Sequence, residues 1–425
     1  MKRTSSGTNR WLIVADDLTG AADCAIGFAR QGTAAAVGWG DAADIGGEFP
    51  VFSYDAASRG LPAAEAAAAH RAALARFLDH DSILFKKIDS TLRGQPAAEI
   101  AAALDAVRGR EGRAFGILAP AFPATGRTTE GGRVHVGGRP LEETEVWRRD
   151  HSYPNADLVE VLATAGITGV KVPLATIRSG ADALREAFAD LADRGDVVAV
   201  CDATTGDDLD RIAGASLPAG KPVFFIGSAG LAQALASAVP GERSNPVLLG
   251  GAAGGTLVVV GSLAGASRAA ARSLAELPGV RYVPADPTIL LDDGAAADRA
   301  ALGRAVIDGL KSGEDVLVEI LAGGEPDLRL GPGLAAGIAD VLHPAACHIG
   351  AFAATGGETA AALLSRFGVR GLRVMDEIEP GVSLGLTLGD VAVPVATKAG
   401  AFGDQDSLVR IVRRLRSIRQ KGVLE

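Results

Sequence analysis

The sequence has 425 residues, 48% of them apolar and 22% charged, which is typical of a globular protein of two or three domains with a sizeable core. A net charge of −9 and a pI near 5.3 leave no general basic surface, which argues against a nucleic-acid partner but allows a local anion site. No apolar segment reaches the length of a membrane span without glycine or charge, and Cys24, Cys201 and Cys347 lie too far apart for a disulfide framework or a zinc site. We therefore expect a cytoplasmic protein that binds neither membrane nor nucleic acid, and the sequence is compatible with a homo-oligomer.

The first chemically unusual stretch is LIVADDLTGAAD, in which two adjacent aspartates follow an apolar run. The pattern predicts a buried strand at Leu12–Ala15 and an alanine-rich helix at Gly20–Ala29. Asp16 and Asp17 then lie at the carboxyl end of a strand, where open α/β sheets bind ligands. Adjacent residues of a strand point to opposite sides, so we expect one aspartate to face the ligand. The alternative is that Asp17 or Thr19 only caps the helix.

A second polar cluster is FKKIDSTLRGQPAAEI, residues 85–100, between an apolar run and an apparent helix. A polyhydroxy acid matches this mixture of side chains. Arg93 offers two donors to a carboxylate, Asp89 accepts from hydroxyls, and Ser90 does either. Lys87 is a further candidate for substrate binding in this cluster. A solvated, charged turn is the alternative interpretation.

A third cluster is APAFPATGRTTEGGRVHVGGRPLEETE, residues 119–145. Arg127 and Thr128 follow a bend rich in proline and glycine, and the length and turn content of the segment favour a functional loop that binds substrate. For the second half of the segment we expect an ordinary β-hairpin around Gly137 and Gly138.

Short apolar runs alternate with alanine- and leucine-rich helical patterns along the chain, as in DVVAVCDATT, PVFFIGSAGLAQALASAV, TLVVVGSLAGASRAAARSLAEL and DVLVEILAGG. This alternation predicts an α/β fold in which mostly parallel sheets are flanked by helices. The stretch Val239–Gly255 interrupts it with proline, glycine, serine and asparagine. We interpret this stretch as a linker between two domains, residues 1–240 and 250–425.

The C-terminal half contains two glycine-rich stretches that favour phosphate binding. In ATGGETAAALL, Gly356 and Gly357 precede a helix expected from about Thr359, so that backbone N–H groups and the positive helix end face the loop. VATKAGAFGDQDSLVRIVRRL combines a cation with glycines before the last helix. The residues of this stretch that are candidates for contact with phosphate are Lys398, Gly400 and Gly403. Close packing or a tight turn is the alternative for each stretch, and neither a P-loop nor a G-x-G-x-x-G fingerprint is present.

Seven motifs, in their order along the chain, together resemble the four-carbon acid sugar kinase family, formerly a domain of unknown function. These motifs are ADDLTGAAD, KKIDSTLRG, APAFPATGRTT, GSAGLA, GGETA, EIEPGVSLG and TKAGAFG. The resemblance covers nearly the whole chain. It implies an N-terminal domain that binds the acid sugar, a C-terminal domain that binds ATP, and an active site in the cleft between them. The implied reaction is phosphoryl transfer to the terminal hydroxyl of D-threonate, D-erythronate or 3-oxo-tetronate.

The resemblance also implies which residues form the two sites. The residues that match the acid-sugar site of the family are Asp16, Asp17, Asp89 and Arg93. The residues that match its nucleotide site are Ser262, Gly356, Gly357, Glu358, Thr359 and Gly400. Where the family usually has a second serine, in the stretch GSLAGAS, this chain has Ala264, so we expect no second hydroxyl contact there. In the last loop Ala401 replaces a small polar residue or glycine, which is tolerated if only the backbone approaches the phosphates.

Phosphoryl transfer requires mainly positioning and charge neutralisation, so the expected cofactors are ATP and Mg²⁺. We favour Asp16 or Asp17 as the catalytic base, with Asp89 orienting the substrate. The sequence leaves open which aspartate serves Mg²⁺ and which four-carbon acid is used. Two other functions stay open. One is a hydroxy-acid dehydrogenase, which the missing G-x-G-x-x-G disfavours, and the other is a non-catalytic acid-sugar sensor.

Overall fold

The computed structural model describes residues 10–40, 45, 47–149, 153–220, 222–239, 241, 247–248, 254–262, 264–292, 294–321, 330–400 and 402–424. Two compact units divide the chain, an N-terminal unit, Met1–Arg243, and a C-terminal unit, Ser244–Glu425. Most of the predicted linker Val239–Gly255 lies outside the described residues, and so does Ala401.

A parallel sheet forms the centre of the N-terminal unit. The strands of this unit are β1 (Arg10–Ala15), β2 (Ala35–Trp39), β3 (Val51–Asp55), β4 (Ser82–Lys87), β5 (Phe115–Ala119), β6 (Arg127–Glu130), β7 (Arg133–Val136), β8 (Arg139–Pro140), β9 (Thr168–Val172), β10 (Val197–Cys201) and β11 (Val223–Gly227). The strand order of the main sheet is β2-β3-β1-β4-β11-β5-β10-β9, and each neighbouring pair in it is parallel.

The central strands of this sheet are buried, which explains their continuous apolar sequences. Ile13 and Val14 of β1, Phe85 of β4 and Phe225 of β11 are each 0% exposed. A strand covered by helices on both faces shows no alternation of polar and apolar residues. Burial of each such side chain stabilises the fold by about 1.5–3 kcal/mol.

Strands β6, β7 and β8 form a small antiparallel sheet. The turn between β7 and β8 consists of Gly137 (φ 58°) and Gly138 (φ 78°), whose left-handed backbone suits glycine. This confirms the β-hairpin predicted around these two glycines.

Helices connect the strands of the N-terminal unit. They are α1 (Leu18–Arg30), α2 (Ala63–Phe77), α3 (Pro96–Glu111), α4 (Glu145–Arg149), α5 (Leu158–Ala163), α6 (Leu174–Ile177), α7 (Ala181–Asp193), α8 (Gly206–Ser216) and α9 (Ala229–Ala238). Helix α1 packs on α9, α9 on α8 and α8 on α7, whereas α2 packs on α3. Helix α1 begins two residues before the predicted Gly20, because Asp17 caps it directly after the strand.

The C-terminal unit has its own mostly parallel sheet. Its strands are β12 (Val247–Leu248), β13 (Thr256–Val260), β14 (Val280–Ala285), β15 (Asp315–Ile320), β16 (Ala351–Thr355), β17 (Val369–Glu379), β18 (Val382–Gly389), β19 (Pro394–Lys398) and β20 (Val423–Leu424). The order β14-β15-β13-β16-β19 is parallel, and β18 and β17 continue it in antiparallel fashion. Strands β12 and β20 form a separate antiparallel pair.

The helices of this unit are α10 (Gly265–Ala275), α11 (Pro287–Leu291), α12 (Ala296–Lys311), α13 (Gly331–Leu342), α14 (Gly357–Arg366) and α15 (Ser407–Lys421). Helix α15 packs on α10, and α13 packs on α14. The C-terminal core joins apolar residues of the sheet and these helices, for example Val258, Leu317 and Leu415, each 0% exposed. The predicted α/β fold with mostly parallel sheets flanked by helices is confirmed.

Candidate active site

The polar residues described below lie where the strand order of the N-terminal sheet switches from one side of β1 to the other. After β1 the chain adds β3 and β2 on one side and then crosses to β4 on the other. In open α/β sheets such a switch point, at the carboxyl ends of the strands, is the usual ligand site. Asp16 follows β1, Asp55 ends β3 and Lys87 ends β4. The register pairs Ala15 with Asp55 and Val14 with Lys86, so these strand ends lie side by side.

Arg59, which the sequence analysis missed, connects the carboxylates of this edge. Its Nε and Nη2 donate to the two oxygens of Asp16 at 2.7 and 3.0 Å. Its Nη1 donates to Oδ2 of Asp17 at 2.6 Å, and its Nη2 lies 3.7 Å from Oδ1 of Asp89. One guanidinium therefore joins carboxylates that the sequence places more than seventy residues apart.

The two adjacent aspartates have different surroundings. Oδ1 of Asp17 accepts from the N–H of Gly20 at 2.8 Å, and its Oδ2 accepts from the hydroxyl of Thr19 at 2.7 Å, so Asp17 caps α1. Asp16 is 2% exposed and makes no such cap. Asp17 therefore caps the helix and in addition binds Arg59.

Asp89 organises the turn that follows β4. Its carboxylate accepts from Nη2 and Nε of Arg93 at 2.7 and 3.1 Å, and from the N–H of Thr91 at 3.0 Å. Leu92 has a left-handed backbone (φ 60°), which is rare for a residue with a branched side chain. A Cβ on Gly94 would lie 3.2 Å from Oδ2 of Asp16, so this turn closes tightly over the aspartate. In this structure Arg93 directs two of its donors to Asp89.

Lys87 lies against the first turn of α1. A Cβ on Gly20 would lie 2.5 Å from both Nζ of Lys87 and Oδ1 of Asp17, so a residue larger than glycine would displace the lysine. Burial acts to lower the pKa of Lys87, but the carboxylates of Asp16 and Asp17 outweigh it and raise this pKa. Lys87 is therefore a buried cation directed at the site.

The carboxylates of Asp16 and Asp89 are ionised at neutral pH. Burial acts to raise the pKa of Asp16, but Arg59 and Lys87 hold it well below its usual range. Burial also acts to raise the pKa of Asp89, but the charges of Arg93 and Arg59 hold this pKa well below its usual value. Both groups are strong hydrogen-bond acceptors and weak bases, because a general base works best with a pKa near the working pH.

Asp55 differs from these carboxylates. Burial and, to a smaller degree, the negative charges of Asp17 and Asp16 raise its pKa from 3.8 to about 7, although a hydrogen bond from the N–H of Ala57 opposes this shift. A carboxyl that binds its proton more tightly in the folded chain stabilises the fold at low pH. This stability is complete below pH 4 and is lost as the pH rises towards 7.

We therefore expect Asp55→Asn to remove a pH-dependent loss of stability. Between pH 4 and pH 7.5 the unmodified protein should lose up to roughly 4 kcal/mol of unfolding free energy relative to the variant. Urea unfolding of both proteins across this range measures the difference. The control is the same change, Asp to Asn, at the exposed Asp81. Parallel profiles for Asp55→Asn and the unmodified protein would contradict the expectation.

The other predicted substrate residues lie in or beside the same region. Burial and the charge of Arg93 lower the pKa of Arg127, whereas the charge of Asp89 raises it, so Arg127 lies within electrostatic reach of both. Its Nη1 donates to the carbonyl of Thr125 at 2.7 Å. Ser90 and Thr128 are half-buried, and within the described parts of the chain their side chains form no hydrogen bond with the site carboxylates.

In the C-terminal unit the predicted nucleotide residues lie at the carboxyl ends of three adjacent parallel strands. Ser262 follows β13, Gly356 follows β16, and Lys398 ends β19. A Cβ on Gly400 would collide with Oγ of Ser262, and a Cβ on Gly261 would collide with Oγ1 of Thr359. The structure therefore brings Ser262, Thr359 and Gly400 together.

Gly356 opens helix α14 with a left-handed backbone (φ 89°), and its N–H donates to the carbonyl of Lys398 at 3.0 Å. Nζ of Lys398 donates to Oγ of Ser267 at 3.3 Å, and Ser267 donates to the carbonyl of Gly400 at 3.0 Å. Burial lowers the pKa of Lys398 and raises that of Glu358. This edge presents a cation and the amino end of a ten-residue helix, a combination that suits phosphate.

Gly403 lies beside the start of α15. Its backbone is left-handed (φ 78°), and a Cβ on it would lie 2.9 Å from Oε1 of Glu379 and would collide with Oγ of Ser407. Close packing therefore favours glycine at this position, and a contact of its backbone with phosphate stays a prediction. In the serine turn, Oγ of Ser262 accepts the backbone N–H of Ala264 at 3.2 Å, and its contact with a nucleotide stays a prediction.

Family models match both units of the chain. A sugar-binding N-terminal domain matches residues 11–235, and a nucleotide-binding C-terminal domain matches residues 257–408. The first of these models alone covers more than half of the sequence. The chain belongs to the four-carbon acid sugar kinase family.

Relatives within the acid sugar kinase family match over nearly their whole length. The chain is 43% identical to a D-threonate kinase of Cupriavidus necator, over 94% of this chain and 96% of the relative. It is 30% identical to a D-erythronate kinase of Heliobacterium modesticaldum, over 93% and 94% of the two chains. It is also 30% identical to a 3-oxo-tetronate kinase of Methylobacterium radiotolerans, over 92% and 96%.

Solved structures agree with the fold of this acid sugar kinase family member. A structure from Salmonella typhimurium superimposes with a TM-score of 0.80 at 22% identity and covers 96% of this chain and 100% of that one. A structure from Haemophilus influenzae gives a TM-score of 0.73 at 21% identity, with 95% and 99% covered. At these identities the likeness concerns the fold alone.

Proposed function

We propose that this chain is an ATP-dependent kinase that phosphorylates the terminal hydroxyl of a four-carbon sugar acid, with D-threonate as the substrate. The observation that carries the proposal is the 43% identity to a D-threonate kinase, which extends over 94% of this chain. The second relative of this name, from Bordetella bronchiseptica, is 35% identical over 96% of the chain.

The proposal gives the two units different substrates. The N-terminal unit binds the sugar acid, because the ends of its strands carry both cations and hydrogen-bond acceptors. The cations suit the carboxylate of the acid and the acceptors suit its hydroxyls. The C-terminal unit binds the nucleotide, because its strand ends present a helix amino end, small residues and a buried lysine. No described helix of the chain is long and apolar enough to cross a membrane.

Within the acid-sugar site we assign the carboxylate of the substrate to Arg59 and Arg93, with Lys87 and Arg127 as further positive charges. Only 22% of the Arg59 side chain is exposed, and three carboxylates already lie close to its guanidinium. The carboxylate of the substrate therefore binds Arg59 in exchange for these partners. Ser90 and Thr128, both half-buried, supply hydroxyls for the polar carbons of the acid.

We assign to Asp16 the hydrogen bond from the acceptor hydroxyl, and to Asp17 the structural role of capping α1. The low pKa of Asp16 does not prevent this role, since phosphoryl transfer passes through a loose transition state in which positioning and charge neutralisation contribute most. Asp89 orients the substrate through Arg93 and Thr91.

Mg²⁺ fits the proposal as a partner of ATP. Among the residues that the structure describes, no group of three or more His, Cys, Asp or Glu side chains is arranged to hold a metal ion. This agrees with the usual binding of Mg²⁺ by substrate phosphates, water and one or two carboxylates. When bound, the ion would neutralise charge on the phosphates, and Asp16 or Asp89 would supply a carboxylate.

Gly356→Val is expected to weaken ATP binding. A branched side chain on this left-handed residue would block the approach of phosphate to the helix end. We expect KM for ATP to rise at least about 10-fold while KM for the sugar acid stays the same. The loss of one charge-assisted hydrogen bond to phosphate is sufficient for a rise of this size. The matched control is Gly313→Val, which is equally left-handed (φ 77°) with open space around it. Equal ATP kinetics of the two variants would refute the assignment.

The test of the proposed function is a substrate screen of the purified protein. ADP release is measured with ATP, Mg²⁺ and the isomers of threonate, erythronate and 3-oxo-tetronate. We expect D-threonate to give the highest kcat/KM. ADP release with any of these acids eliminates a non-catalytic sensor, and a reaction that needs a nicotinamide cofactor instead would favour the dehydrogenase.

A further inference from the structure

The segment Ala56–Arg59, here called the Arg59 loop, carries the guanidinium that joins the site carboxylates. Its backbone is strained, because Ala57 adopts a left-handed conformation (φ 50°) that residues with a side chain rarely take. Strain of this kind persists only where the surroundings hold it. The contacts of the loop therefore decide where Arg59 points.

The start of the loop is held by the ends of β1 and β3. The N–H of Ala57 donates to Oδ1 of Asp55 at 2.7 Å. The N–H groups of Ser58 and Arg59 both donate to the carbonyl of Asp16, at 3.0 and 3.1 Å. These bonds set the path of the backbone.

A side chain beneath the site fixes the middle of the loop. The hydroxyl of Ser58, which is 0% exposed, donates to Oε1 of Glu99 at 2.7 Å. Glu99 lies on α3, a different element from every strand end that carries the site, and is 1% exposed. A buried carboxylate as acceptor makes this a charge-assisted and therefore strong hydrogen bond.

Lys86 compensates the charge of Glu99. Its Nζ lies 2.9 Å from Oε2 of Glu99, and it also donates to the carbonyls of Val14 and Lys87 at the ends of β1 and β4. His70 approaches the same oxygen, with Nε2 at 3.8 Å, but burial and the charge of Lys86 hold the pKa of His70 well below its usual value. The imidazole is therefore neutral, and Lys86 is the cation of this group.

A buried ion pair is weak evidence for a role in stability alone, since apolar residues of similar size often replace such pairs without loss. The direction of its contacts is more informative. The pair contacts the site through the side chain of Ser58. It contacts the ends of β1 and β4 through the ammonium group of Lys86. Neither Glu99 nor Lys86 has a place in the proposed binding of the acid.

We propose that Glu99 is a positioning residue, whose carboxylate, held by Lys86, anchors Ser58 and so fixes Arg59 for the carboxylate of the sugar acid. The inference rests on the proposed function, because it concerns the binding of the same substrate. It adds a residue on α3 that acts on the acid only through the Arg59 loop.

The test uses Ser58→Ala, which removes the anchor and leaves the Glu99–Lys86 pair intact. The matched control is Ser53→Ala in β3, because Ser53 is equally buried (0%) and donates a single hydrogen bond, to the carbonyl of Ala21 at 2.9 Å. We expect Ser58→Ala to raise KM for the sugar acid about 10-fold, with KM for ATP unchanged, and to lose more stability than the control because its hydrogen-bond acceptor is charged. Equal KM values for the acid in the two variants would overturn the proposal.

A second measurement is independent of activity. Hydrogen exchange followed by mass spectrometry on a peptide that covers the Arg59 loop should show faster exchange of these amides in Ser58→Ala than in Ser53→Ala. Unchanged exchange overturns the inference. If the unmodified protein phosphorylates none of the four-carbon acids, the proposed function fails, and the exchange rates still decide whether Glu99 fixes the loop.

Discussion

Asp16→Asn should reduce turnover of the four-carbon acid by roughly 10²-fold or more, whereas Asp17→Asn should leave turnover within a few-fold of the unmodified enzyme. Asparagine keeps the shape of Asp16 but removes the negative charge. That charge binds both Nε and Nη2 of Arg59 and, in our proposal, accepts the hydrogen bond of the acceptor hydroxyl. Asparagine at position 17 still accepts from the N–H of Gly20, so the helix cap is retained.

The measurements are kcat and KM for the acid in both variants, together with thermal unfolding. Asp17→Asn should cost at most about 1 kcal/mol of stability, because asparagine caps a helix nearly as well as aspartate. If both variants keep near-normal turnover, neither aspartate is the base. The role then passes to Asp89 or to no residue.

Arg59→Ala should weaken binding of the sugar acid by about 2–5 kcal/mol, which is roughly 30-fold or more in KM. The change removes the proposed receptor of the substrate carboxylate and leaves the buried Asp16 and the half-buried Asp17 without this partner. Arg59→Lys keeps the charge but loses the planar fork, so we expect it to recover only part of the affinity. KM for ATP should stay unchanged in both variants.

The matched control for this arginine is Arg178→Ala. Arg178 also donates two hydrogen bonds to one buried aspartate, to Oδ1 and Oδ2 of Asp208 at 2.8 Å each, at the start of α8. Its removal should lower stability without an effect on the sugar acid. Calorimetric titration of the acid in the absence of nucleotide separates the two results. Normal acid binding by Arg59→Ala would remove this residue from the substrate site.

Local sequence patterns were sufficient for the elements of the fold and for part of the site. The apolar run before Asp16 marked β1, and the small residues after it marked α1, since the strand and helix periods are local properties. Asp16 was visible because it follows directly on the apolar run of β1, and Asp89 because it belongs to the polar cluster that follows the apolar run of β4. The hairpin at Gly137 and Gly138 followed from its turn residues.

The contacts that join these pieces had no local signal. Arg59 lies 42 and 43 residues from the two aspartates it binds, and only the strand order places β3 beside β1. Asp55 stands at the end of the short strand pattern VFSYD, which Ser53 and Tyr54 make less apolar than the run before Asp16. The raised pKa of Asp55 depends on burial and on charges from other segments, which a pattern in one segment does not contain.

The side chain of Leu92 links the apolar interior to the polar turn that contains Asp89 and Arg93. Its backbone is left-handed, yet its side chain is 0% exposed, so burial holds a conformation that the backbone alone resists. Glycine would suit the backbone, but it would leave this part of the interior unfilled. The backbone conformation of the turn therefore depends on how well apolar neighbours pack around Leu92. We therefore expect substitutions among those neighbours to change the geometry of the turn that carries Asp89 and Arg93, and with it the proposed binding of the acid.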